Sequence, residues 1–177
     1  HFTPPAGSTV AARDLQSYIA SVNANLGITT LHPGRLFSGT VRTPALGPAA
    51  GVDLKFTDLA TGDRVFLTKD LTDVAGQYAI RVPPGTYDID FRPPVTTNYV
   101  DKERLGVIVG ASDITGLVDI FATGFTVTGV VRDKLSHNIE NLDIDVFDEC
   151  TGQRLATAHD NTDINGNYSV CVPAGTY

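Results

Sequence analysis

The chain repeats itself at an offset of 90 residues, and this repeat constrains the fold more than any other feature. Gly39-Thr40-Val41-Arg42 returns as Gly129-Val130-Val131-Arg132, and Thr61-Gly62-Asp63-Arg64 returns as Thr151-Gly152-Gln153-Arg154. Thr72-Asp73-Val74-Ala75-Gly76-Gln77-Tyr78 returns as Thr162-Asp163-Ile164-Asn165-Gly166-Asn167-Tyr168, and Val82-Pro83-Pro84-Gly85-Thr86-Tyr87 as Val172-Pro173-Ala174-Gly175-Thr176-Tyr177. The opening residues keep nearly the same register, since Phe2-Thr3-Pro4-Pro5 matches Phe91-Arg92-Pro93-Pro94 at an offset of 89. Self-similarity at a fixed period is the signature of an array of like modules. The 177 residues hold almost two periods, and the first residue falls inside one. Residues 1–34 are therefore expected to be the closing strands of a split module. Residues 35–122 form a complete module, and residues 123–177 a second module without its last strands.

Each module reads as strands. Val52-Asp53-Leu54-Lys55-Phe56 and Leu142-Asp143-Ile144-Asp145-Val146 alternate apolar and charged residues, as do Tyr87-Asp88-Ile89-Asp90-Phe91 and Tyr168-Ser169-Val170-Cys171-Val172. Strict alternation puts one face of a strand in a core and the other in water. Turn-forming clusters such as Thr61-Gly62-Asp63, Ala75-Gly76 and Pro83-Pro84-Gly85 separate the runs. Many short alternating strands indicate an all-β sandwich. Val52, Leu54, Phe56, Tyr78, Ile80, Val82, Tyr87 and Ile89 are expected to face one core. Leu142, Ile144, Val146, Tyr168, Val170 and Val172 should do the same in the second module. Ala11 to Val22 has a helix-compatible spacing, but its counterpart, Arg104 to Ile120, reads as two strands with a turn at Ser112-Asp113, so strands are expected in both copies.

A formal net charge of −7 argues against nucleic acid or an anionic membrane as partner, and no apolar run approaches membrane-spanning length. Cys150 and Cys171 are the two cysteines, and both positions lack a cysteine in the first copy, where Ala60 and Arg81 stand. Joint presence in one copy and joint absence from the other favours a disulfide, an oxidising compartment and roughly 3 kcal/mol of stabilisation.

The order of these motifs resembles the carboxypeptidase regulatory-like repeats, which group with transthyretin-like domains and the B-type repeats of collagen adhesins. The carriers are Gly39 to Val41, Val52 to Asp58, Thr72 to Tyr78 and Val82 to Tyr87, with a second set 90 residues on. The resemblance implies tandem immunoglobulin-like or prealbumin-like Greek-key β-sandwich repeats of seven strands. It also implies a spacer or stalk role in secreted, cell-surface or fibrous proteins, without peptidase activity.

The chemistry on offer is thin. Asp160, Asp163 and Asn165, with Asp143 nearby, alternate oxygen ligands before Gly166 as calcium loops do, but no glutamate follows at the twelfth position. A plain turn, with Asp capping its own backbone and glycine supplying positive φ, needs less. Apart from this weak calcium site no cofactor is expected. Family relatives can form an internal lysine–Asn/Asp amide; Lys55 with Asp88 or Asp90 is the single pairing on offer, and Lys55 lies on the outward phase of its strand. His1, His32, His137 and His159 show no metal-ligand spacing, and none recurs between copies. No catalytic residue is assigned, and the chain is not expected to be an enzyme.

The expected function is that of a structural subunit of an extracellular or cell-surface filament, its partner being other copies of itself joined head to tail. The alternative is an adhesin stalk or ligand-binding accessory module. His1, Phe2, Pro4 and Pro5 at one end and Thr176 and Tyr177 at the other are the expected assembly residues. Two ways of joining fit the register: strand donation between chains, or a longer covalent array of which these residues are an excerpt.

Overall fold

The structure, a computed structural model, describes residues 1–14 and 25–177. Its elements are all strands: β1 (Arg35–Arg42), β2 (Asp53–Asp58), β3 (Gln77–Val82), β4 (Gly85–Arg92), β5 (Lys102–Val109), β6 (Ile114–Ile120), β7 (Phe125–Val130) and β8 (Asn167–Val172). The described residues contain no helix long and apolar enough to cross a membrane.

Two three-stranded sheets, β3-β1-β6 and β2-β4-β5, face each other across one core. β1 runs antiparallel to β3 and parallel to β6, while β4 is antiparallel to both β2 and β5. The alternation reads out directly. Val52, Leu54, Phe56, Tyr78, Ile80, Val82, Tyr87 and Ile89 are all buried, as expected, together with Phe37, Val41 and Phe91. Aromatic rings lock the centre: Phe37 meets Phe56 edge-on at 5.2 Å, and Phe56 meets Tyr87 at 5.9 Å. Such pairs add to what their buried area contributes. Gly76 sits at φ 71°, where a Cβ would also strike the Val41 carbonyl, so the turn before β3 requires glycine.

The resemblance implied seven strands per module; among the described residues six form in this sandwich. Residues 64–71 run beside β2 without forming a strand, joined by the bridges Thr57↔Arg64 and Asp53↔Leu71 and by Val65 N–H donating to Phe56 O at 2.8 Å. Lys69 at φ 68° turns the backbone out of the extended region there.

β7 and β8 form a two-stranded antiparallel sheet, and each of its pairs lies 90 residues beyond a pair of β1 and β3. Phe125↔Val172 repeats Arg35↔Val82, and Gly129↔Tyr168 repeats Gly39↔Tyr78. Leu142–Val146, expected as a strand, is not one. Its twin β2 is held by β4 along six paired residues, and no described strand lies beside Leu142–Val146. The segment is held instead by single contacts: Leu142 N–H donates to Thr162 Oγ1 and Thr162 N–H to Leu142 O, each at 2.9 Å, Leu155 N–H donates to Val146 O at 2.8 Å, and Phe147 bridges to Arg154.

The opening residues follow the register of the closing part of the sandwich. Phe2↔Arg13 repeats Phe91↔Lys102, and Val10↔Pro33 repeats Tyr99↔Thr123. Ala11 N–H donates to His32 O at 2.9 Å as Val100 N–H does to Ala122 O, and Gly34 N–H donates to Thr9 O as Gly124 N–H does to Asn98 O, each at 2.8 Å. The strands expected over Ala11 to Val22 fall mostly on residues 15–24, outside the described residues.

Candidate functional site

These correspondences create one docking twice. In the first junction, residues from 3–12, with Gly34, lie against β1 and β3 at Leu36, Ala79 and Arg81. In the second, residues 90–101 and 121–124 lie against β7 and β8. Pro4, Pro5, Val10 and Ala12 line a cleft with Leu36, Lys69 and Arg81. Pro93, Pro94, Tyr99 and Asp101 line its twin with Thr126, His159 and Cys171. Position for position, the two clefts correspond at an offset of 89 on one wall and 90 on the other. A glycine makes each closest approach. A Cβ on Gly34 would stand 3.1 Å from Arg81 Cβ, and one on Gly124 would stand 2.6 Å from Cys171 Sγ. No side chain fits between these backbones without displacing a neighbour.

The chemistry of the two junctions differs. In the first, the His1 ring stacks on Phe66 at 4.2 Å and its Nδ1 lies 3.0 Å from Asp14 Oδ1, while Arg81 Nη1 donates to Gly34 O at 3.2 Å. In the second, the counterparts of His1 and Asp14 are Asp90 and Glu103, two acids paired across β4 and β5. Asp101 and Asp160 join them, and Arg92 and Arg154 line the same hollow. Burial pushes the Asp101 carboxyl up to about 7 against the pull of Arg92. Burial, then Asp90 and Asp88, raises Glu103 as well. Asp101 and Glu103 were not singled out in the sequence, because nothing local distinguishes them from solvated acids; Asp90 and Asp160 were, but for other roles.

Asp119 was also missed. It is fully buried on β6, with Arg104 Nε at 2.9 Å, Lys102 Nζ at 3.5 Å and the Tyr78 hydroxyl at 3.5 Å. Burial, followed by the Asp119 charge, raises the Tyr78 hydroxyl well above the phenolic range. The signal for it was an acid on the inward phase of a strand.

The expected disulfide is absent: Cys150 and Cys171 are free thiols. Alternation along β8 turns Val170 and Val172 inward and Cys171 to the other face, against Gly124, whereas Cys150 lies exposed. The expected calcium ligands are spent on the turn. Asp163 Oδ1 accepts from Asn165 N–H at 2.8 Å and Asn167 N–H at 2.9 Å, as Asp73 does from Ala75 and Gln77, and Asp160 Oδ2 accepts from the Thr157 hydroxyl at 2.7 Å. Among the described residues, no group of three or more His, Cys, Asp or Glu is placed to hold a metal ion. Asp143 lies exposed, and Asp145 pairs with Arg154. Lys55 faces Asp90 across the β2–β4 ladder, and Asp88 instead accepts from Gly106 N–H at 2.8 Å.

The sequence matches no family model and no curated protein. Among solved structures the chain is similar to a streptococcal ancillary pilin, at 12% identity and a TM-score of 0.40, over 79% of this chain and 50% of the pilin. It is also similar to the Bacillus anthracis TIE protein, at 16% identity and a TM-score of 0.33, over 80% of this chain and 26% of that one. A candidate carbohydrate-binding protein from Bacteroides uniformis gives 14% identity and a TM-score of 0.37, over 78% and 79% of the two chains. The chain therefore spans half the length of that pilin and about a quarter of the TIE protein. At these scores the likenesses carry no functional argument, and the junctions must supply it.

Proposed function

We propose that the chain is a structural building block of a cell-surface or extracellular rod, made of tandem sandwich modules of about 90 residues joined end to end. Its role is mechanical rather than catalytic, and its partners are further copies of itself. The observation that carries this reading is the docking made twice, with the same pairings, the same proline-lined cleft and the same glycine contact. A junction that recurs at a fixed register builds a quasi-one-dimensional stack in which each module touches only its neighbours. Head-to-tail contacts of that kind do not close on themselves and therefore propagate. The motif order, which resembles repeats of cell-surface proteins, supports placing the rod outside the cell.

The test is direct. The purified 177-residue chain, concentrated to the millimolar range and viewed by negative-stain electron microscopy, should form linear filaments of uniform width. A monodisperse species of 18.8 kDa at every concentration would overturn the reading.

A further inference from the structure

Among the described residues, every edge of the sandwich but one is obstructed. β2 is flanked by residues 64–71, where Val65 N–H donates to Phe56 O and Leu54 N–H to Asp70 O, each at 2.8 Å. β5 and β6 each carry a glycine of positive φ, Gly106 at 63° and Gly116 at 72°, where their registers on β4 and β1 shift. Bulges twist an edge out of line and keep a further strand from pairing. Arg104 Nη2 also donates across to Val118 O at 3.4 Å. β3 has no such device. It pairs with β1 over six consecutive residues without a shift, contains no proline, and turns Gln77, Ala79 and Arg81 outward.

Val41 N–H donates to Gly76 O at 2.7 Å, which fixes the phase of the β1–β3 ladder. Alternation then aims the backbone groups of Tyr78, Ile80 and Val82 at β1, and those of Gln77, Ala79 and Arg81 away from it. Asp73 takes up Gln77: its Oδ1 accepts from Gln77 N–H at 2.8 Å, and its N–H donates to Gln77 O at 2.9 Å. The backbone N–H and C=O of Ala79 and Arg81 have no partner among the described residues. They border a slot. The cleft of the first junction and a hollow of about 670 Å³ beside Ser38, Thr40 and Gln77 meet at Lys69 and Ala79. In the second copy, the cleft and a hollow of about 520 Å³ meet at His159 and Ser169, each 90 residues further on, along the edge of β8. That second slot is bordered by residues 93–101, 126–130 and 158–171 alone. An edge left open in both copies is a property of the module.

We infer that the edge of β3 is a lateral docking site for an extended peptide bearing acidic side chains, which adds a strand to the sheet. The inference goes beyond the end-to-end reading and does not depend on it. Main-chain hydrogen bonds to Ala79 and Arg81 supply affinity, and side chains supply the choice of partner. Charge directs that choice. The chain carries a net charge of −7, yet the cleft beside Ala79 and Arg81 is lined by two cations, Lys69 and Arg81, and by no acid. Acidic residues at alternate positions of the added strand lie on the one face that meets them. A second copy offers β3 the same cations rather than acids, so pairing of β3 with β3 is disfavoured. The edge of β8 has His159 and Cys171 in the matching positions and Asp101 in its cleft, so the preference for acid belongs to the first module.

The probe is a short, terminally blocked peptide alternating valine and glutamate, labelled with a fluorophore, titrated with the 177-residue chain and followed by anisotropy. Saturable binding is expected, with slowed amide exchange at Ala79 and Arg81. The same peptide N-methylated throughout its backbone should not bind, and neither should a peptide with lysine in place of glutamate. Ala79→Pro removes an edge N–H without touching the β1 ladder. It should abolish binding while the chain keeps its circular dichroism spectrum. Lys69→Glu should weaken binding several-fold. If Ala79→Pro unfolds the chain, the methylated peptide decides alone. Binding that survives N-methylation, or that is equal for glutamate and lysine peptides, overturns the inference. So does the absence of binding. A dimer of copies that Ala79→Pro dissolves would assign the edge to a second copy and overturn it as well.

Discussion

The sandwich and the β7–β8 region carry nearly the same sequence pattern yet do not have the same structure. Val52 to Phe56 runs into β2 with Val52, Leu54 and Phe56 buried, and Leu142 to Val146, with the same alternation, is not a strand at all. β1 has neighbours on both sides, whereas β7 has one. The difference lies outside the segments compared: it is the presence of β4, β5 and β6 on one of them. Pattern specifies which face a strand would bury, and a partner ladder decides whether the strand exists.

Four experiments press on that comparison. The largest effect is expected from Leu54→Ala, which opens a cavity in a closed core and should cost about 2–5 kcal/mol in urea unfolding. Ile144→Ala, its counterpart in the β7–β8 region, should cost under about 1 kcal/mol. Equal costs would mean that the two regions are packed alike after all.

Asp119→Ala follows. It strands Arg104 and Lys102, but each is about a third exposed and can recover water, so the loss should be near 2 kcal/mol rather than the larger cost of a fully buried orphan. Asp119→Asn, which keeps an acceptor for Arg104 and Tyr78, should recover about half. No recovery would show that the charge, not the hydrogen bonding, holds β5 to β6.

The two junctions should part company with pH. The Asp101 carboxyl has its ordinary value at 3.8 and about 7 in the folded chain. The folded form therefore binds the proton more tightly than the unfolded one. The stability linked to it is complete below about pH 4 and is lost as pH rises through about 7. Melting temperature should fall by a few degrees between pH 5 and pH 8. Asp101→Ala, which copies Ala12 of the first junction, should flatten that slope. A slope unchanged in the variant assigns the titration to Glu103 or another group.

The smallest effect concerns the turns. Asp163→Ala removes the acceptor of two backbone N–H groups in an exposed loop and should cost about 1 kcal/mol, much as Asp73→Ala should. Millimolar calcium should leave the melting temperature of the unmodified chain unchanged. A calcium-dependent rise abolished by Asp163→Ala would restore the cation reading.

Much of the sandwich was legible because its information is local. Alternation from Val52 to Phe56 and from Tyr87 to Phe91 named the core face, and Gly76 and Gly166 marked turns that need positive φ. The 90-residue offset also carried over to individual hydrogen bonds. What stayed hidden depends on contacts between distant segments. The joint presence of two cysteines in one copy suggested a bond, whereas in the structure both are free thiols, Cys171 beside Gly124 and Cys150 exposed. The oxygens of Asp160, Asp163 and Asn165 suggested a ligand set, but Asp163 accepts from two backbone N–H groups and Asp160 from the Thr157 hydroxyl. Asp101 looked like any solvated acid, and only its burial in the fold, beside the charges of Asp90 and Asp160, raises its carboxyl.

The junction chemistry has a mechanical consequence. A rod assembled from this chain would have joints of two kinds in strict alternation, one built on an aromatic stack and one on crowded carboxylates. Mild acid would neutralise the crowded carboxylates of the second kind, so resistance to bending would change at those joints while the spacing of modules stayed constant. Such a fibre would respond to acidity in its stiffness rather than in its length, with its compliance concentrated at intervals of one full chain.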